Sequence, residues 1–169
     1  MKHKSRSSKY MNIIIVLMVV LIAAFGCRND KDDSSLVVKK GRFLDAAVEG
    51  VEYETPTQSG ITDADGTFEY VEGETVDFSI GDIELGQTEG QEVVTPVDLV
   101  EGAEDETDPA VTNMSRFLLT LDDDGDAENG ISIPETVRTA AVNVSVNFNL
   151  SIIAFGDDDV VQDVVSLLT

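Results

Sequence analysis

The sequence predicts a mainly β fold with a helical C-terminal part: a small antiparallel β-sandwich followed by a short helical subdomain. Three observations lead there. From Gly41 to Val100 apolar residues alternate with polar ones, the period of a strand with one buried and one wet face. Turn residues break this pattern at short intervals. Beyond Asp108 the apolar spacing changes to the three-and-four rhythm of a helix. With 7 Phe, 3 Tyr and no Trp, the core is expected to be built from Val, Ile, Leu and a few Phe.

Taken in order, the strands are expected at Val51-Glu-Tyr53, Phe68-Glu-Tyr70, Val76-Asp-Phe78-Ser-Ile80 and Ile83-Glu-Leu85. Gly50, Ser59-Gly60, Asp63 to Gly66, Glu72-Gly73, Gly81-Asp82 and Gly86 mark the turns between them. In Thr62-Asp-Ala-Asp-Gly66-Thr, Gly66 suits the left-handed conformation of a tight hairpin, and Asp63 and Asp65 suit capping of its amides. Glu101 to Asp108 reads as an acidic loop. Asp108-Pro109 then opens a helix, with Asp as cap and Pro in the first position; Val111, Met114, Phe117, Leu118 and Leu121 share one face. Ser132-Ile-Pro-Glu135 resembles a capping box that opens a second helix to about Ala141. Val142 to Phe155 reads as either a strand or a packed loop. Gly156-Asp-Asp-Asp159 opens a last helix, its acidic first turn suiting the N-terminal dipole. Val160, Val161, Val164, Val165 and Leu168 form its apolar stripe.

The N-terminus has a different character. Lys2, Lys4, Arg6 and Lys9 precede the run Ile13 to Phe25, with no acidic residue before it. A membrane span is one reading, but 13 residues is short for crossing a bilayer. The order of basic region, apolar region and small residue is that of an export signal. Its ending, Ala24-Phe25-Gly26-Cys27, resembles a bacterial lipoprotein lipobox. The resemblance implies that residues 1–26 are a signal peptide removed after Gly26, and that Cys27 carries a covalent lipid. Residues 27–40, polar and charged in their first half, then form a lipid-anchored flexible tether. An Asp directly after the lipidated cysteine is associated with inner-membrane retention in enteric bacteria. Arg28 stands there instead, which favours the outer membrane or cell surface.

Charge narrows the function. Positions 1–26 hold four of the 11 Lys+Arg and none of the 33 Asp+Glu, so the remainder sets seven basic against 33 acidic residues, a formal charge of −26. Such a surface repels nucleic acid and anionic headgroups, stays soluble, and suits divalent cations or cationic partners. The lone histidine is His3 and the lone cysteine Cys27. Once both are removed or lipidated, Ser-His-Asp and Cys-His catalysis and His- or Cys-ligated zinc are excluded. A carboxylate enzyme would need two acids about 5 to 9 Å apart in a cleft.

Gly41-Arg-Phe-Leu-Asp-Ala-Ala-Val-Glu-Gly-Val-Glu-Tyr53 and Gly60-Ile-Thr-Asp-Ala-Asp-Gly-Thr-Phe-Glu-Tyr70 resemble the start of carboxypeptidase regulatory-like (transthyretin-like) modules, small Ig-like β-sandwiches on extracellular proteins. In them the Thr-Asp-x-Asp-Gly-x-Phe turn is a structural signature and not an active site. The longer pattern through Val76 to Gly86, Val94 to Leu99 and Val111 to Gly125 resembles the N-terminal region of certain proteobacterial surface lipoproteins, where the module often precedes something larger. The expected organisation is therefore a β-sandwich domain over residues 41–100 and a helical subdomain over 101–169.

The candidate for site chemistry is Leu121-Asp-Asp-Asp-Gly-Asp-Ala-Glu-Asn-Gly-Ile131, set between two expected helices. Asp122, Asp124, Asp126 and Glu128 alternate, and Gly125 and Gly130 let the backbone curl. Carboxylate oxygens at such spacing are what Ca²⁺ needs. The run (acidic loop 122–131) resembles helix-loop-helix and dockerin-like calcium loops, with departures. Ala127 stands where the sixth-position glycine belongs, and Ile133 where the twelfth-position Glu belongs. Glu135 lies two residues late. A calcium site and a solvated acidic turn both fit these residues. Tyr53 and Tyr70 alternate with core residues, which favours packing over sugar stacking. The expected function is a non-enzymatic structural or binding module on the membrane's outer side, with an unknown protein or polysaccharide of the cell surface as partner. The other reading is an accessory N-terminal module of a surface hydrolase or adhesin.

Overall fold

A computed structural model of the chain describes residues 36–168. The expected signal peptide, the expected lipidation site Cys27 and residues 28–35 of the expected tether lie outside the described residues, as does the side chain of Leu168.

The fold is mainly β with a helical C-terminal part. Among the described residues nine strands run β1 (Val38–Phe43), β2 (Val48–Glu49), β3 (Glu52–Glu54), β4 (Ser59–Ile61), β5 (Thr67–Val71), β6 (Thr75–Ile80), β7 (Ile83–Glu89), β8 (Val93–Val94) and, much later, β9 (Ile131–Ser132). A four-stranded antiparallel sheet has the order β4-β3-β6-β7, and a three-stranded sheet the order β5-β1-β8. The strands follow the alternation in the sequence: Phe78, Val76 and Ile80 of β6 are buried, while Asp77 and Thr75 are exposed. The two sheets pack face to face through aromatic rings. Phe78 of the four-stranded sheet stacks on Phe43 of β1 at 5.2 Å and meets Phe68 of β5 edge-on at 5.1 Å. Tyr53 and Tyr70 are buried in this core, so their packing role holds.

Two pairings are parallel and join distant parts of the chain. Phe43 of β1 pairs with Val94 of β8, and Val48 of β2 with Ile131 of β9. The core continues from the sandwich into the helical part, taking in Phe117, Leu118, Ile131, Ile133 and Phe148.

The turn at residues 63–66 closes as expected, but not as a hairpin. Gly66 has φ +73°, and a Cβ there would lie 2.4 Å from the Phe43 carbonyl oxygen. Asp63 Oδ1 accepts from the amides of Asp65 (3.0 Å) and Thr67 (2.8 Å). Asp65 does not cap an amide; its carboxylate faces Arg42 at 3.9 Å. The flanking strands belong to different sheets, β4 pairing with β3 and β5 with β1, so the turn carries the chain across the sandwich.

Five helices are described: α1 (Pro96–Leu99), α2 (Pro109–Thr120), α3 (Glu135–Ala140), α4 (Ile152–Asp157) and α5 (Asp159–Leu168). Asp108 caps α2 through the Ala110 amide, and Val111, Met114, Phe117, Leu118 and Leu121 are all buried. α1 packs on β7 where Gly86, with φ +139°, leaves room: a Cβ would lie 2.4 Å from the Leu99 carbonyl oxygen. The capping box expected at Ser132 and Glu135 does not form. Pro134 precedes α3 without a side-chain cap, because Ser132 is spent on β9 and its hydroxyl reaches Glu49. Of the stretch 142–155, residues 142–150 form a turn-rich loop, one of the two forms expected, whereas Ile152 to Phe155 are helical, capped by the Ser151 hydroxyl accepting from the Ala154 amide. That loop is held by Asn113 of α2, fully buried, whose amide donates to the carbonyls of Phe148 (2.9 Å) and Leu150 (2.8 Å). The last helix starts at Asp159, with Asp158 accepting from the Val161 amide, and α4 precedes it. Val161 and Val164 are buried, whereas Val160 is 59% exposed and leaves the expected stripe.

Candidate cation site in the acidic loop

The acidic loop is fastened at both ends before any ligand is considered. Leu121 on one side and Ile131 and Ile133 on the other are buried in the core. The Asp123 amide donates to the Ser132 carbonyl at 3.0 Å, and the Ser132 amide donates to Asp122 Oδ1 at 2.9 Å. The Ile131 amide donates to the Ala47 carbonyl, tying the loop's exit to the sandwich. Within this frame Gly125 takes φ +69°, and Ala127–Asn129 form one 3-10 turn.

The four candidate carboxylates have unequal surroundings. Asp124 Oδ1 accepts from the Asp126 amide at 2.9 Å, and its Oδ2 from the Asn129 side chain at 2.8 Å. Asp126 Oδ1 accepts from the Glu128 amide at 3.2 Å. Glu128 is exposed. Asp122 spends Oδ1 on Ser132, but its Oδ2 is shut off from solvent and has no hydrogen-bond partner. The Asn129 amide, then the Asp126 backbone amide, and lastly the neighbouring Asp122 carboxyl hold Asp124 below the ordinary aspartate value. The Asp122 carboxyl thus neighbours that of Asp124. Two ionised carboxylates that close repel unless a cation or proton lies between them.

The resemblance to a helix-loop-helix calcium loop therefore holds for the alternation and fails for the path. Among the described residues Asn143 alone takes a positive φ without being glycine, so Ala127 does not make the left-handed turn of the sixth position. Ile133 is a core residue, and Glu135 lies in the first turn of α3 beyond the intervening β9. Among the described residues no three carboxylates are gathered into a formed metal cage. Asp122 and Asp124 are brought together; Asp126 and Glu128 continue along the 3-10 turn.

Two members of the arrangement were not singled out from sequence: Asn129, which braces Asp124, and Ser132, whose amide takes half of Asp122. Asn129 offers only a side-chain amide donor, which serves carbonyls as readily as carboxylates, as Asn113 does. Ser132 carries no signal, because its contribution is a backbone amide.

The chain matches no family model, no curated protein and no solved structure. Among the described residues no helix is long and apolar enough to cross a membrane.

Proposed function

We infer that this chain is an extracytoplasmic lipoprotein of the outer membrane or cell surface, held by a lipid on Cys27. Its sandwich and helical part serve as a non-enzymatic structural or binding module, and Ca²⁺ stiffens the loop of residues 122–131. The observation that carries the calcium reading is Asp122 Oδ2: a carboxylate oxygen closed to water and without a donor, beside a second carboxylate. Burying a charged oxygen without a partner is costly, and a hard divalent cation removes that cost. Asp124 supplies the second ligand, and Asp126 and Glu128 stand next along the chain.

The test is a calorimetric Ca²⁺ titration of the full-length chain in detergent, with a parallel thermal melt. Asp122→Asn keeps the acceptor for the Ser132 amide and removes the charge. Saturable binding and a raised melting temperature in the wild type, both lost in Asp122→Asn, support the reading. No heat at millimolar Ca²⁺ reduces the loop to an acidic turn. The anchor has a separate test: Cys27→Ala is expected to release the protein or leave its precursor uncleaved, and a variant that still fractionates as a processed membrane protein overturns it.

A further inference from the structure

The outer face of the four-stranded sheet carries an ordered set of acids. Strand register places Ile61, Glu52, Ser79 and Glu84 in one row across the sheet, and Ser59, Glu54, Asp77 and Gln87 in the next. Glu54 and Asp77 are directly opposite, a like-charge pairing that destabilises a sheet unless something offsets it. Glu52 is partly engaged, accepting from the Gly81 amide at 2.6 Å. Arg138, at the border of this face, turns its guanidinium to the carbonyls of Gly50 and Ile133.

The face is also grooved, and the groove ends in an apolar-floored cavity. A depression of about 720 Å³ over β3 and β4 shares Asp77, Ser79 and Asp82 with one of about 790 Å³ over β6 and β7. That one shares Asp82, Glu84 and Gly86 with a cavity of about 630 Å³ under α2 and the loop of residues 142–150. Leu85, Leu99, Met114 and Phe148 contribute its apolar lining, and Asp82, Glu84 and Glu101 its acids. Those four apolar side chains are buried in the core, so the cavity presents a narrow apolar floor between largely polar walls.

We propose that this groove docks an extended cationic segment of a partner protein, with Lys or Arg at alternate positions over the sheet and one apolar side chain in the cavity. The chemistry follows from the lining. Alternate side chains of an extended segment lie about 7 Å apart, the spacing of Glu52 and Glu54 along β3. Cationic side chains relieve the Glu54–Asp77 repulsion, and the apolar residue takes the floor. The proposal rests on the binding-module reading and names its site and partner chemistry.

The probe is a fluorescein-labelled peptide of alternating lysine and serine with one central valine, measured by anisotropy against the full-length chain. A counterpart with glutamate for lysine serves as comparison. Saturable binding of the lysine peptide is expected, weakened at least about ten-fold in Glu54→Gln/Asp77→Asn/Glu84→Gln, and within about two-fold of wild type in Glu104→Gln/Asp157→Asn/Asp163→Asn, which removes equal charge elsewhere. Asn147→Lys, on the exposed rim of the cavity, is expected to weaken it as well; melts confirm that each variant folds. Equal loss in both triple variants would reduce the effect to net charge and overturn the site. Equal binding of the glutamate peptide, or none of the lysine peptide, would overturn the partner chemistry. Retention of the wild type on purified envelope polysaccharide in that last case leaves the binding-module reading standing; no retention removes both.

Discussion

The two outer faces of the sandwich are built from the same alternating pattern and manage charge in opposite ways. On the three-stranded sheet each outward cation of β1 has an acid: Lys40 meets Glu69 at 3.8 Å and Arg42 meets Asp65 at 3.9 Å, while Lys39, in the alternate row with Gly41 and Phe43, meets Glu72 at 2.7 Å. On the four-stranded sheet Glu54 stands opposite Asp77, and Glu84 opposite Ser79, with no ion pair among the described residues there. One face is electrostatically finished within the chain. The other carries a charge density that a partner can complete. Identical periodicity thus fixes which side chains are wet, and says little about what the wet side is for.

The comparison holds only while both faces stand on one core, and the largest expected effect tests that. Phe78 touches aromatic rings of the opposing sheet, so Phe78→Ala is expected to cost about 3–5 kcal/mol in denaturant melts. A loss confined to the four-stranded side, with β1 and β5 amides still protected from hydrogen exchange, would show two separable layers instead. Next comes the crossing between the sheets. Gly66→Ala forces a side chain into a left-handed position facing the Phe43 carbonyl, and about 1–3 kcal/mol should be lost.

Smaller effects separate the faces themselves. Asp77→Asn removes half of the opposed pair and is expected to raise stability by up to about 1 kcal/mol at low salt, with the gain fading at high salt. Lys40→Gln, on the finished face, should lose only about 0.3 kcal/mol, also screened by salt. If both changes carry the same sign, the contrast between the faces is wrong. The finest probe is pH. The amide and the hydroxyl of Thr67, together with the Asp65 amide, hold Asp63 below the ordinary aspartate value. A carboxylate depressed in the folded state stabilises it above its unfolded-state value, and that contribution disappears as pH falls through the folded one. Acid melts of the wild type should therefore steepen below the ordinary aspartate range, and Asp63→Asn should flatten that segment.

Legibility followed the range of the interaction. Period two in Val76 to Ile80 and the helical spacing of Val111 to Leu121 are local, and strand and helix stand where those residues point. The capping box at Ser132 failed because a strand pairing claimed the serine first, and no local signal announces that. Gly66 announced its backbone angle but not its sheet, since one turn serves a hairpin or a crossing equally well. In the acidic loop the alternation of Asp122, Asp124, Asp126 and Glu128 was plain. Which of them would be buried and orphaned depended on Ser132, ten residues away, donating to only one oxygen of Asp122.

The pairing of β2 with β9 bears on when the chain acquires its shape. Val48 waits for Ile131, a separation of 83 residues, and the loop of residues 142–150 must still arrive to be gripped by Asn113. Contacts this distant slow folding, because a long loop must close before they form. During synthesis the strands of both larger sheets, within residues 38–94, emerge first, and β2 stays unpaired until Ile131 follows. The strand that completes β2 thus comes late, and it sets when the exit of the acidic loop can be fastened to the sandwich.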